Sequence, residues 1–240
     1  MVYFAILLML GICIIDRTER SRFKARVSED WILDAVSLTN HFILIPIAQV
    51  AIVYQICSLA IPQLKGTIQI GWGAALFTNM LIDYGWYWNH RLLHAQTPFW
   101  GLHAVHHAPE QLNILATSRN SLWSPLFMVY FWLQPLAIYL AQDPIPFLTL
   151  AGFGLIVNFW GHTGLNLPRN SKIRQIVSLA LIQPEDHFWH HSTDNAYCNF
   201  ATVFNFWDKL HGTWHQPNEA PQKLGFELHQ PLWKKLFFPV

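Results

Sequence analysis

The chain has 240 residues, 52% of them hydrophobic, 15% aromatic and only 12% charged, with a formal net charge of +1. A soluble domain carries roughly 25% charged residues, so this composition points to a membrane protein. The near-zero charge gives no reason to expect the basic face that binds nucleic-acid phosphates.

The opening stretch VYFAILLMLGICII has no basic n-region before it and no A-x-A cleavage site after it. It reads as a short retained membrane segment rather than a signal peptide. Residues 16–40, with EDWILDAVS, form a linker that is either partly interfacial or an ordinary loop. A helical crossing takes about 20 mostly apolar residues. Residues 41–62 and 122–141 fit best, with 69–89 and the shorter 145–160 after the QDPIP turn signal as further candidates. The C-terminal PLWKKLFFPV mixes Trp, Phe and Lys and is again either interfacial or a loop. Cys13, Cys57 and Cys198 are widely spaced, form no CxxC pair and read as small buried hydrophobes.

If all five segments cross, the chain folds back at residues 63–68 and near Asp143, and nearly all other polar sequence shares one side. That side holds Arg17, Arg20, Arg22, Lys24, Arg26, Arg91, Arg119 and every basic residue from Arg169 onward, leaving only Lys65 opposite. The positive-inside rule makes it cytoplasmic. The same parity gathers the histidine-bearing segments there.

The histidines are clustered. His90 and His94 stand four apart, so on a helix they share a face, as do His103, His106 and His107, and again His187, His190 and His191. His41, His215 and His229, taken singly, read as hydrogen-bonded structural residues. With 13 His in 240 residues, chance gives about 0.04 copies of H-x-x-H-H. The chain has two. Protonated neighbours repel and neutral imidazoles need partners, whereas one metal ion satisfies several at once. Eight clustered imidazoles plus His162 in NFWGHTG exceed what one zinc takes, so two metals with four or five nitrogens each are expected. Iron, copper, nickel and zinc all suit imidazole. Neither Glu-x-x-His nor H-E-x-x-H occurs. Asp83 lies in a candidate span, two turns before His90, and is a functional candidate by position. It either orients a ligand or simply bonds a neighbouring helix.

The order H-x-x-x-H, H-x-x-H-H, a lone His after a membrane hairpin and a second H-x-x-H-H resembles the sterol desaturase and fatty acid hydroxylase superfamily. The likeness runs from about residue 83 to 214. DYGWYWNHRLLH, VHHAPEQLNILATSRNSLWSPLF, FWGHTGLN and WDKLHGTW look like the subgroup containing alkylglycerol monooxygenase. The resemblance implies one membrane-embedded domain over residues 1–240: an all-α integral membrane protein with four to five transmembrane helices and a cytoplasmic histidine-rich helical cap. It implies two iron ions and O2-dependent hydroxylation or desaturation of a lipid such as a sterol, fatty acyl chain or ether lipid. By position His90, His94, His103, His106, His107, His162, His187, His190 and His191 take the ligand role. Asn199 in NAYCNF sits near the metals, and Arg119 occupies the family's Arg position after the second box. Three departures stand out: Asp186 where many relatives have His, Gly164 where alkylglycerol-type enzymes often carry Glu, and Ala201 for a glycine.

With no G-x-G-x-x-G and no second soluble domain visible, electrons are expected from a separate donor, a cytochrome, ferredoxin or pterin-type reductant. The rival readings are a membrane zinc hydrolase, disfavoured by the ligand surplus and the missing base, and a metal or haem carrier, for which two repeated boxes are excessive.

Overall fold

The computed structural model describes residues 2–195, 197–217 and 219–237. Among them the chain is helical with no strand, only isolated bridges. Its helices are α1 (Val2–Ile15), α2 (Arg17–Lys24), α3 (Ser28–Ala60), α4 (Trp72–Ala95), α5 (Thr97–His107), α6 (Val129–Leu140) and α7 (Ile145–Gly161), followed by four short ones. These are α8 (Lys172–Val177), α9 (Pro184–His190), α10 (Phe206–His211) and α11 (Leu232–Phe237).

Helix α3 runs 33 residues and is long and apolar enough to cross a membrane. It starts well before residue 41, so much of the expected linker is helix, joined by α2, whose first N–H groups are capped by Asp16 at 2.9 Å. Pro46 sits inside α3 without a donor, and the turns on both sides of it widen to π geometry, Asn40–Leu44 and Gln49–Tyr54. Shorter apolar helices cover Tyr3–Ile15, Val129–Leu140 and Ile145–Gly161.

The stretch 122–141 is not one helix. Ser124–Phe127 forms a 3-10 turn, and α6 begins only at Val129. Asn89 of α4 fixes that start, accepting from Val129 N at 2.8 Å and donating to Phe127 O at 3.2 Å. Inside α6, Pro135 leaves the Phe131 carbonyl without its helical donor. Gln49 of α3 supplies one through Nε2 at 3.3 Å, so two apolar helices meet at a proline defect.

Helix α4 continues past the expected span to Ala95 and therefore carries His90 and His94 on one rigid rod. It packs against α5, α6 and α7, which places the first two histidine boxes beside the end of α7 and His162. The C-terminal α11 docks on α3 through Lys235 and Glu29 at 3.0 Å; residues 238–240 of that segment lie outside the described residues.

Large apolar side chains face outward on these helices, among them Phe4, Ile47, Leu59, Phe77, Leu81, Ile145 and Leu148. Exposed apolar surface on this scale marks a face that meets something other than water.

Candidate metal centre

The nine histidines converge into two groups, and each H-x-x-H-H box divides between them. His90, His94, His103, His107 and His190 form one group; His106, His162, His187 and His191 form the other, with ligand nitrogens in each lying within 4.8 Å of one another. From α5, residues 103 and 107 enter the first group and 106 the second. From α9 and the residue after it, 187 and 191 enter the second and 190 the first. The sequence expected each box to act as one facing set. Residues i and i+4 indeed stay together, but i+3 lies on the opposite flank of the same face, about 100° round the helix from i+4, so each box straddles two positions. All nine are buried except His94, which is half-buried.

Hydrogen bonds fix the ring orientations. Nδ1 of His90 donates to Phe200 O at 2.7 Å, His190 to Cys198 O at 2.7 Å, His106 to Arg119 O at 3.1 Å and His162 to Asn158 O at 2.9 Å. Nδ1 of His103 faces Asn120 Oδ1 at 2.9 Å. A carbonyl oxygen only accepts, so Nδ1 carries the proton and Nε2 of each neutral ring presents a lone pair. Those lone pairs face each other: Nε2 of His190 lies 2.9 Å from that of His90, His103 lies 3.0 Å from His90, and His162 lies 3.4 Å from His106. Lone pairs at such distances repel unless a cation sits among them. Nε2 of His94 is buried without a hydrogen-bond partner, as a nitrogen reserved for coordination would be. The donor set therefore fits two ions, with acceptors behind the rings of the kind that orient metal-bound imidazoles.

The other sequence-selected residues surround this set. Asn199 adopts a left-handed backbone (φ 51°), which aims the carbonyls on either side of it, at Cys198 and Phe200, toward His190 and His90. Its side chain donates to Asp186 O at 2.9 Å and His215 O at 2.7 Å and accepts from His215 N at 2.8 Å. Arg119 presents its backbone carbonyl to His106, while its guanidinium points away to Asp34 at 2.5 Å and Asp30 at 2.8 Å on α3. Asp83 bonds no imidazole. It accepts from Trp207 Nε1 at 2.8 Å and Phe204 N at 3.3 Å, fastening α4 to the 200–207 segment.

Asp186 belongs to neither nitrogen group. It caps α9 by accepting from Gln183 N at 2.7 Å and bonds Gln216 at 3.0 Å, and burial raises its carboxyl to about 7. At Gly164 a Cβ would lie 2.5 Å from Glu19 Oε1 and from Arg22 Nη1, so this glycine leaves room for the buried Glu19 and its Arg22 partner. Sequence reasoning missed Asn120, Asn158 and Asp208. Asp208 accepts from Phe200 N at 2.8 Å and Ala201 N at 2.9 Å, holding the carbonyl that orients His90. Only its place in WDKLHGTW marked it.

A cavity of about 700 Å³ reaches the histidines from the apolar helices, touching His90 and His103 of one group and His106, His162 and His187 of the other. Its far end is lined by Tyr3, Val50, Leu148 and Phe153, all outward-facing. Asp83 also lines it; Arg119 and Asn199 do not.

Burial pushes His103 and His162 down to about 4 and His190 to about 3, from an ordinary value of 6.5. In metal-stripped protein the folded rings stay neutral where the unfolded chain would protonate. Their contribution to stability is complete above pH 6.5 and is lost as pH falls through the window from 6.5 to about 3. The thermal midpoint of chelator-treated protein should fall steeply across that window; a flat profile would contradict the buried neutral cluster.

The sequence profile of the fatty acid hydroxylase family matches residues 75–213. The chain is 31% identical over 156 residues to human alkylglycerol monooxygenase, covering 63% of this chain and 32% of that protein. It is 30% identical over 141 residues to an ornithine lipid hydroxylase of Rhizobium tropici, covering 58% and 40%. It is 33% identical over 145 residues to human cholesterol 25-hydroxylase, covering 58% and 50%. The match spans about a third of the alkylglycerol monooxygenase. No solved structure matches the chain.

Proposed function

The chain belongs to the fatty acid hydroxylase family, and from that premise we propose that it is a multi-pass membrane lipid hydroxylase or desaturase with two iron ions. One ion is held by His90, His94, His103, His107 and His190, the other by His106, His162, His187 and His191. The observation that carries this reading is the division of nine imidazoles into two groups with opposed lone pairs in each. Three relatives with different lipids in their names support the general chemistry and leave the individual lipid open.

Bound there, a pair of redox-active irons supplies the O2 reduction that C–H oxidation requires. The protein supplies position. The cavity opens among exposed apolar side chains, so a lipid enters sideways from the bilayer and its chain keeps its contact with apolar side chains. Because the inner end is lined by histidines of both groups, a carbon seated there lies against residues that would hold each ion. Cys198 O, Phe200 O, Arg119 O, Asn158 O and Asn120 Oδ1 hold the rings in the tautomer that presents Nε2. Asn199, Arg119 and Asp83 act as positioning residues: the first two place ring acceptors, and the third fastens the segment that carries Phe200. The electrons come from a separate donor, and the histidine cluster faces the cytoplasm, the side favoured by the arginine and lysine distribution.

The test is purified, iron-loaded protein in lipid, given 18O2 and a chemical reductant with sterol, fatty acyl and ether-lipid substrates. One lipid should acquire 18O or lose two hydrogens, with matching O2 uptake. No uptake with any combination would overturn the reading.

A further inference from the structure

We propose that the dipeptide Gly225-Phe226 sets the spacing between the two metal positions, by fastening the end of α5 to the end of α9. The inference rests on the two-metal reading above. It concerns a segment beyond residues 75–213, the part of the chain that matches the family profile.

After α10 the chain returns along the residues that follow the third histidine box. Thr193 N donates to Lys223 O at 3.1 Å, and Ser192 pairs with Leu224 in an antiparallel bridge. The strand-like run then changes partners within two residues. Gly225 N donates to His191 O at 3.3 Å, and Phe226 N donates to Ala108 O at 3.2 Å. His191 is the last ligand of the third box, and Ala108 directly follows His107, the last ligand of the second. Two adjacent N–H groups thus bridge the ends of both boxes.

The bridged ends belong to different metal groups. His107 sits in the five-nitrogen group and His191 in the four-nitrogen group, and their rings stack at 4.2 Å with an interplanar angle of 19°. Any sliding of α5 against α9 would shift one group relative to the other. The Phe226 ring adds a second hold, stacking on Trp100 at 6.0 Å; Trp100 in turn packs on His94 at 5.2 Å and His107 at 5.4 Å.

Gly225 is the one residue type that fits. Its φ is +67°, and a Cβ there would meet the Pro109 carbonyl and lie 2.6 Å from Ala108 O. Those atoms are backbone and cannot swing aside. A side chain at 225 must therefore push the segment off the end of α5.

The experiment uses the full chain, loaded anaerobically with Fe(II), and reads iron per chain, the affinity of each iron, and the exchange coupling between them by Mössbauer and EPR spectroscopy. For Gly225→Ala the expected result is altered coupling, together with a second iron bound about 10–100-fold more weakly, the range for disturbing the support of a metal ligand. If Gly225→Ala fails to fold, Phe226→Pro, which deletes the N–H bonded to Ala108 O, is expected to behave the same way. Lys235→Ala, which removes the ion pair between α11 and α3, controls for general loosening and should leave the coupling unchanged. Two irons of wild-type affinity and wild-type spectrum in the variant would overturn the proposal, as would an equal change in Lys235→Ala. Wild-type protein that binds fewer than two irons would instead defeat the two-metal reading itself.

Discussion

Cells carrying the double substitution His106→Ala and His107→Ala are expected to lose the lipid product altogether, and the purified variant to fall by more than about 100-fold in turnover, since disturbing only a ligand's neighbour already costs 10–100-fold. The two residues are adjacent in sequence yet serve different groups, His106 with His162, His187 and His191, and His107 with the other five-membered set. One double variant therefore removes a nitrogen from each ion. Lipid mass spectrometry comparing the intact gene with the variant reads the result and identifies the lipid at the same time. A product that persists at wild-type level would mean that these rings hold no catalytic metal.

Replacing Arg119 with Met is expected to destabilise the protein by about 3–5 kcal/mol, the typical cost of removing one partner from a buried ion pair. The Arg119 side chain is 3% exposed and that of Asp34 is 1% exposed, so the carboxylate that loses one of its two cationic partners has little access to water. Arg26 also bonds Asp34 and Asn113 and would hold part of the network. The same change loosens the loop whose carbonyl orients His106. Thermal unfolding monitored by circular dichroism should show the loss, and iron affinity should drop in the four-nitrogen group first. A loss below about 1 kcal/mol, the range of a surface pair, would show that the network carries no fold stability.

The histidine boxes and Arg119 differ in how much of their role was legible in the sequence. The histidine boxes stood out because their spacing is improbable by chance and each fits a helix face. The sequence could not say that each box would split, because a set of residues at i, i+3 and i+4 spans an arc wide enough to face one ion or two, and only the packing of α5 against α4 and α9 decides. Arg119 drew attention by its place after a box, but its chemistry lies in its backbone carbonyl and in a pair with Asp34, 85 residues earlier in the chain. Nothing local encodes such a pairing.

The apolar segments show a similar division. Residues 41–62, 69–89 and 145–160 each fall largely on a helix, with residues 61–62 and 69–71 outside it, since long apolar runs have few alternatives. The stretch 122–141 read as continuous because hydropathy averages over its first half, where Pro125 and the Asn89 side chain set a late helix start. Asp83 drew attention as a carboxylate inside an apolar segment, and its partners are Trp207 Nε1 and Phe204 N rather than a histidine. The orienting groups at Asn120 and Asn158 were invisible, because a lone asparagine amide beside a histidine box has no pattern of its own and the Asn158 acceptor is a backbone carbonyl that any residue would supply.

The most direct test of the central claim is the number of metal ions per chain. Full-length protein, purified in lipid and loaded with Fe(II), should contain two irons by elemental analysis, and both should be lost with the His106→Ala and His107→Ala substitutions. A single ion per chain, a haem absorbance band, or two ions that persist without those rings would contradict it.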